Sequence, residues 1–241
     1  AYLGDMRDRA LSHATANLRI LAIAHLVEQS CGADLLRCSA IKVALRGYKN
    51  QDILAGKRQK QAKPCTADLL RLMVDALDTT EPRGLRGRAL LLVSFAAAMR
   101  RSEIAALSLV DLAFREGGAI VTLPRSKTDQ GGIGRTIEVF PGTSLCPIAA
   151  LSAWIALLPS DGRVFRSIDK HGRIGASLSD RAIAEIWRSR GENAGITGLS
   201  GHSARVGYVW EAARNGATLL QIQGTTGHKS PVSVQRYASS A

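Results

Sequence analysis

The sequence lacks the patterns that mark several large protein classes. Its four cysteines, Cys31, Cys38, Cys65 and Cys146, form no Cys-x-x-Cys pair. That argues against a zinc ribbon or a disulfide framework and for free thiols in a reducing compartment. No two of the five histidines stand at ligand spacing with an accompanying Asp/Glu pair, so no metal site is expected. A Gly-x-x-x-x-Gly-Lys-Ser/Thr phosphate loop is also absent. The longest apolar stretch, Ala89 to Met99 broken only by Ser94, is far short of the ~20 residues of a membrane span. The opening Ala1-Tyr2-Leu3-Gly4-Asp5 shows no basic region followed by an apolar one, so no secretory signal is visible. Acidic residues are scarce too: 20 Asp+Glu face 32 Lys+Arg.

What is present fits a globular chain with an anionic partner. A length of 241 residues allows one large domain or two modest ones, and 46% hydrophobic with 22% charged residues excludes a disordered chain. The net charge of +12 points to a polyanion, either nucleic acid or an anionic membrane. Only eight of the basic residues are lysines, leaving 24 arginines, whose planar forks suit bidentate phosphate contacts.

Residues 55–64 read as an exposed linker, with Gly56, Pro64 and four positive charges but no large apolar side chain. Ahead of it, helical spacing runs from Leu11 to Ser30 and from Asp34 to Tyr48. These few helices make a thin domain, and with no methionine at position 1 the front of an N-terminal domain is expected to be missing. After the linker the pattern predicts helices over Thr66 to Leu77, 85–99 and Ser102 to Leu109. Strands Ala119 to Leu123 and Arg135 to Phe140 flank a polar hairpin tip at 124–132. Further helices are expected at Ile148 to Leu158, Ser179 to Arg190, Ser203 to Arg214, Thr218 to Gln223 and Val232 to Ala238. The fold class is mostly α with a small antiparallel sheet. Its expected domains are 1–54, partial and helical, the linker 55–64, and 65–241.

Three clusters carry chemistry. Met99-Arg100-Arg101-Ser102-Glu103-Ile104 lies where one helix ends and the next begins. In Ser200-Gly201-His202-Ser203-Ala204-Arg205, the i, i+3 spacing puts His202 and Arg205 on one face of a helix start, where free N–H groups favour an anion. Gly227-His228 is followed nine residues on by Tyr237. Taken singly, each has a structural reading: a surface arginine, a solvated pair, a loop histidine, a packing tyrosine. Their joint order and spacing favour one site.

Together they resemble the tyrosine recombinase (phage integrase) family, and most its Cre-like members. The family's order is an arginine box, a hairpin lysine, His-x-x-Arg, Gly-His and a tyrosine. Here that order is Arg100, Lys127, His202, Arg205, His228 and Tyr237, with the octapeptide SGHSARVG at Ser200 to Gly207 closest to the Cre-like form. The match runs from about Thr66 to Tyr237. The segment before the linker is similar, more loosely, to the last helices of the family's core-binding domain. Cre-like members carry a further helix after the tyrosine that docks on a neighbouring subunit, whereas only Ala238 to Ala241 follow here.

The resemblance implies a site-specific recombinase that joins DNA to Tyr237 through a 3′-phosphotyrosyl link, with no cofactor. In that scheme Arg100 and Arg205 hold the phosphate oxygens, His202 shares the tyrosine proton and Lys127 protonates the leaving 5′-oxygen. His228 hydrogen-bonds a phosphate oxygen, and Glu103 is a buried brace. The implied partner is double-stranded DNA, held in a dimer on one site and a tetramer in the synapse, with no membrane. The implied location is cytoplasmic, at a bacterial or phage nucleoid. Alternatives are a type IB topoisomerase or hairpin-forming resolvase, or a DNA-binding relative without turnover. Further DNA-contact candidates are Arg181, Arg188 and Arg190 on the Ser179 to Arg190 helix, with Arg125, Lys170, Arg173 and Lys229.

Overall fold

Short polar side chains set several helix starts in this chain. Ser12 Oγ accepts from Thr15 N at 3.3 Å, Thr66 Oγ1 from Leu69 N at 3.4 Å and Ser179 Oγ from Ala182 N at 3.1 Å. Thr218 makes a full reciprocal cap: its Oγ1 accepts from Gln221 N, and Gln221 Oε1 accepts from Thr218 N at 2.7 Å. The computed structural model describes residues 2–57, 62–123, 134–228 and 230–238. They fall into two units, Ala1–Gln61 and Ala62–Ala241.

The first unit holds α1 (Tyr2–Asp8), α2 (His13–Cys31), a 3-10 turn (Leu35–Arg37) and α3 (Ser39–Leu54). Met6, Ala16, Ile20 and Tyr48 form its core, and Tyr48 Oη donates to Leu11 O at 2.8 Å. The helix expected from Asp34 to Tyr48 is split. Asp34 Oδ1 caps Leu36 N at 2.9 Å and winds the short turn, and Cys38, in extended conformation, separates it from α3. Helix α1 was not legible in the sequence pattern.

In the second unit, α4 (Ala67–Asp75) and α5 (Pro82–Ala96) are followed by α6 (Arg101–Ala106) and a 3-10 turn (Leu109–Asp111). Strands β1 (Leu112–Arg115), β2 (Gly118–Leu123) and β3 (Arg135–Val139) then form one antiparallel sheet in that order, with Val121 opposite both Leu112 and Ile137. Helices α7 (Pro147–Ile155), α8 (Asp180–Asn193), α9 (Ser203–Arg214), α10 (Leu219–Thr226) and α11 (Pro231–Ala238) complete it. The fold is mostly α with a small antiparallel sheet.

Helix α5 begins at Pro82, three residues before the expected start, because proline suits the first helical turn. It ends at Ala96. The six-residue α6 and the 3-10 turn replace the single helix expected over Ser102 to Leu109. Strand β1 adds a third strand to the expected hairpin. Residues 124–133, which include that hairpin's tip, lie outside the described residues.

The large core centres on α5, whose residues Ala89 to Val93 are all buried, with Trp154, Phe165, Trp187 and the inward faces of β2 and β3 around them. Trp154 Nε1 donates to Val164 O at 2.8 Å, which satisfies the indole inside the core. A second cluster, Val209, Ile222 and Val234, joins α9, α10 and α11, with Tyr208 and Tyr237 packed against it. That small cluster is what brings α11 back to α9.

Candidate active site

The turn between α5 and α6 is built by Ala98, which is fully buried in the left-handed region with φ 47°. A non-glycine residue there costs about 1–2 kcal/mol. The turn also delivers the Ala98 carbonyl to Arg205, whose Nη1 donates to it at 2.8 Å. Two residues on, Arg100 is the N-cap of α6. Glu103 reaches back one turn, its Oε2 accepting Arg100 N at 2.7 Å and its Oε1 accepting Arg100 Nη1 at 2.6 Å. One carboxylate thus caps the helix and fixes the guanidinium. This is the physical reason for the Arg-x-x-Glu spacing.

Glu103 also holds Arg135, the first residue of β3, whose Nη2 donates to Oε2 at 3.1 Å. Arg135 Nη1 donates in turn to Thr225 O near the end of α10. Arg135 therefore ties the α6 start to the segment that carries His228. No motif marks it, and the sequence reading missed it. Its only sequence signal is a charge at a half-buried position, the start of a strand in which Ile137 and Val139 face inward.

The SGHSARVG segment folds around its small residues. Ser203 Oγ accepts from Ser200 N at 2.9 Å, which tightens the turn into α9 and leaves His202 as the helix's N-cap residue. A Cβ on Gly201 would lie 2.2 Å from Arg101 Cδ, so any larger residue there would push that side chain aside. A Cβ on Gly207 would lie 1.8 Å from the Cys65 carbonyl oxygen, where Cys65 N donates to Ser203 O at 3.0 Å.

Five of the six expected residues meet in one place. Tyr237 Oη lies 3.4 Å from His202 Nε2, and the two rings stand edge to face with centroids 6.1 Å apart. The His228 ring centroid is 6.3 Å from that of Tyr237, with the two planes tilted by 42°. Arg205, Arg100 and Arg135 share one electrostatic neighbourhood with Glu103 and Tyr237. Lys127 lies outside the described residues.

The electrostatics are those of an anion receptor. Among the described residues, three guanidinium groups here face one carboxylate. Arg205 is 1% exposed, and its Nε and Nη2 are buried with no hydrogen-bond partner among the described residues. Burial first, then the Arg100 charge, push its pKa down to about 9. Burial and the charges of Arg205, Arg100 and Arg101 lower the pKa of His202. Burial, Arg205 and Arg100 lead the causes that bring His228 to about 4. Both rings are therefore neutral at pH 7. Leaving buried donors unpaired costs about 1–3 kcal/mol per group, and an anionic oxygen is the acceptor that chemistry supplies for them.

The other candidates are scattered. Arg181 is exposed on α8. Arg188 is committed to its own helix, pairing with Glu185 at 2.5 Å and Glu192 at 3.1 Å. Arg190 is half-buried near Gly87 and Arg86 of α5. Lys170 and Arg173 are exposed between α7 and α8, and Arg125 and Lys229 lie outside the described residues. No group of three His, Cys, Asp or Glu that could hold a metal ion stands together among the described residues, and no described helix is long and apolar enough to cross a membrane.

Comparison with known proteins points the same way. The phage integrase family matches over residues 65–241. An integrase/recombinase XerD homolog from Selenomonas ruminantium is 30% identical over 248 residues, covering 98% of this chain and 71% of the relative. The recombinase Cre of Escherichia phage P1 is 26% identical over 210 residues, covering 78% of this chain and 60% of Cre. Among solved structures, the Tn1549 transposon integrase in complex with circular intermediate DNA superposes with a TM-score of 0.68 at 12% identity, over 98% of this chain and 78% of that one. The arginine box, the His-x-x-Arg turn, the Gly-His pair and the tyrosine are thus set on a matching fold, and the chain belongs to the phage integrase family, the tyrosine recombinases.

Proposed function

We propose that this chain cleaves and rejoins duplex DNA at specific sites through a covalent 3′-phosphotyrosyl link to Tyr237, with no metal ion or nucleotide consumed. The observation that carries this reading is the Tyr237 hydroxyl beside the neutral His202, within the field of a buried arginine that has two unpaired donors.

A phosphodiester repels nucleophiles because its free oxygens are charged, and a pentavalent transition state gathers more charge on them. Fixed positive groups aimed at those oxygens lower the barrier, each donor contributing about 3–4 kcal/mol. Arg205 and Arg100 take this role, with Arg135 and Glu103 holding their geometry. An ordinary phenol, with a pKa near 10, is about one part in a thousand ionised at pH 7, so attack needs a base. His202 Nε2 takes the Tyr237 proton as the phenolic oxygen bonds to phosphorus. The bond from phosphorus to the 5′-oxygen breaks, and Lys127 gives that oxygen its proton. A 5′-hydroxyl of a second strand reverses the step. The covalent link conserves the energy of the broken bond, so strands exchange without hydrolysis of a nucleotide.

In this reading residues 1–54 belong to a helical core-binding domain and residues 65–241 to the catalytic domain. Subunits pair on one site and meet as a tetramer in synapsis, at bacterial or phage DNA of the nucleoid. Its support is that solved relatives include a lambda integrase dimer bound to a core site.

The test is capture. The protein is incubated with a library of nicked genomic duplexes, and covalently trapped DNA is sequenced. A recurring site is expected, with little relaxation of supercoiled plasmids that lack it. Relaxation without site preference would favour a topoisomerase. Binding without trapping would favour a relative without turnover.

A further inference from the structure

His228 is held at both ends. Gly227 closes α10 in the left-handed region (φ 65°), with its N–H on Gln223 O at 2.7 Å. Gln223 Nε2 donates to the His228 carbonyl at 2.9 Å, and the ring Nδ1 lies 2.8 Å from Thr226 Oγ1. Thr226 is fully buried, and its Oγ1 is also 2.7 Å from Ile222 O.

A hydroxyl has one proton. If Thr226 gave it to Nδ1, the close approach to the Ile222 carbonyl would carry no hydrogen bond from the hydroxyl. If Thr226 gives it to Ile222 O and accepts the Nδ1 proton, both contacts are hydrogen bonds. In a buried position the arrangement with the extra bond prevails. Turning the ring by half a turn about χ2 would bring Cδ2, not Nε2, to Thr226 and lose the bond, so Nδ1 is the nitrogen that meets the hydroxyl.

We infer that Thr226 is the positioning residue of His228: it holds the ring in the Nδ1–H tautomer, so the neutral ring offers a bare Nε2 and donates to a phosphate oxygen only after Nε2 takes a proton from solvent. This inference rests on the reading of the site as a phosphodiester receptor. The charged and titratable groups around the ring are Arg100 just ahead of α6, Arg135 of β3 with its partner Glu103, His202 and Arg205 at the start of α9, and Tyr237 of α11. Burial and the nearby cations keep the ring neutral in the free chain, with a pKa of about 4. An arriving phosphate has the opposite sign and favours the imidazolium. Engagement of the phosphate by His228 is thus coupled to uptake of one proton.

Nitrogen chemical shifts in the free, 15N-labelled full chain test the tautomer directly, with the His228 signals assigned by their loss in His228→Asn. At neutral pH the expected pattern is a protonated Nδ1 and an unprotonated Nε2, kept in Thr226→Ser and reversed in Thr226→Val. A protonated Nε2 in the wild type, or an unchanged pattern in Thr226→Val, overturns the inference. The second readout is the pH profile of single-turnover adduct formation on a nicked duplex. The wild type should fall about tenfold per pH unit as His228 loses its proton, before the loss that deprotonation of Lys127 imposes on any variant. Thr226→Val should lack that fall and keep only the later alkaline loss set by Lys127 as the acid, because its neutral ring can carry the proton on Nε2. Identical profiles would break the link between tautomer and chemistry. Failure of the wild type to form any adduct would contradict the proposed function and leave the shift measurement standing.

Discussion

Arg205 shows how a single side chain can be both core and chemistry. It is among the largest fully buried residues, it fixes the Ala98 turn, and it retains two unpaired donors. Lysine can take over one contact but not a fork. Arg205→Lys is therefore expected to fold and to lose about 10²–10³ in single-turnover cleavage rate, or about 3–4 kcal/mol. A rate within threefold of wild type would mean the guanidinium does not serve the transition state. His228 supplies a stability signature. Its folded pKa of about 4 lies below the ordinary 6.5, so the unfolded chain takes up the proton first as pH falls. This contribution is intact above pH 6.5 and is lost as pH drops from about 6.5 towards 4. Denaturant melts across that window should show a shallower loss in His228→Asn than in the wild type, and equal slopes would contradict the burial argument.

At the scale of elements, close backbone approaches decide which residues are permitted. Helix α9 can lie against the chain at Cys65 only because Gly207 has no Cβ. Gly207→Ala should destabilise the second unit by about 3 kcal/mol through overpacking, read as a lower denaturation midpoint with an unchanged slope. A neutral result would mean the two segments are separable. Much of this level was legible in the sequence. Thr66, Ser179 and Thr218 announce helix starts through side-chain caps, and the apolar run of α5 announces a buried helix. Proline-started α5, the Asp34-capped turn and the four-residue β1 were harder to read, because local hydrogen bonds outweigh hydrophobic spacing in short segments. The order of the arginine box, His-x-x-Arg, Gly-His and tyrosine exposed the site before any coordinates. Arg135 and Thr226 did not show, because each acts through contacts with residues far apart in the chain or with a carbonyl that no sequence pattern displays. Glu103 was legible only through the family resemblance, and the structure adds the reason, a carboxylate that both caps α6 and holds Arg100.

For the whole molecule, a net charge of +12 and a buried arginine site make binding a matter of phosphate neutralisation. The logarithm of affinity for duplex DNA should fall linearly with the logarithm of salt, with a slope of about −0.9 for each phosphate engaged. Filter binding over a salt series measures it, and a slope near −1 would contradict a protein that grips many phosphates. The most direct measurement is the identity of the amino acid joined to DNA after trapping on a nicked duplex, read by mass spectrometry of the digested adduct. The account predicts one modified peptide, containing Tyr237 esterified to a 3′-phosphate, and its disappearance in Tyr237→Phe. An adduct on another residue, or one that persists in Tyr237→Phe, would contradict it.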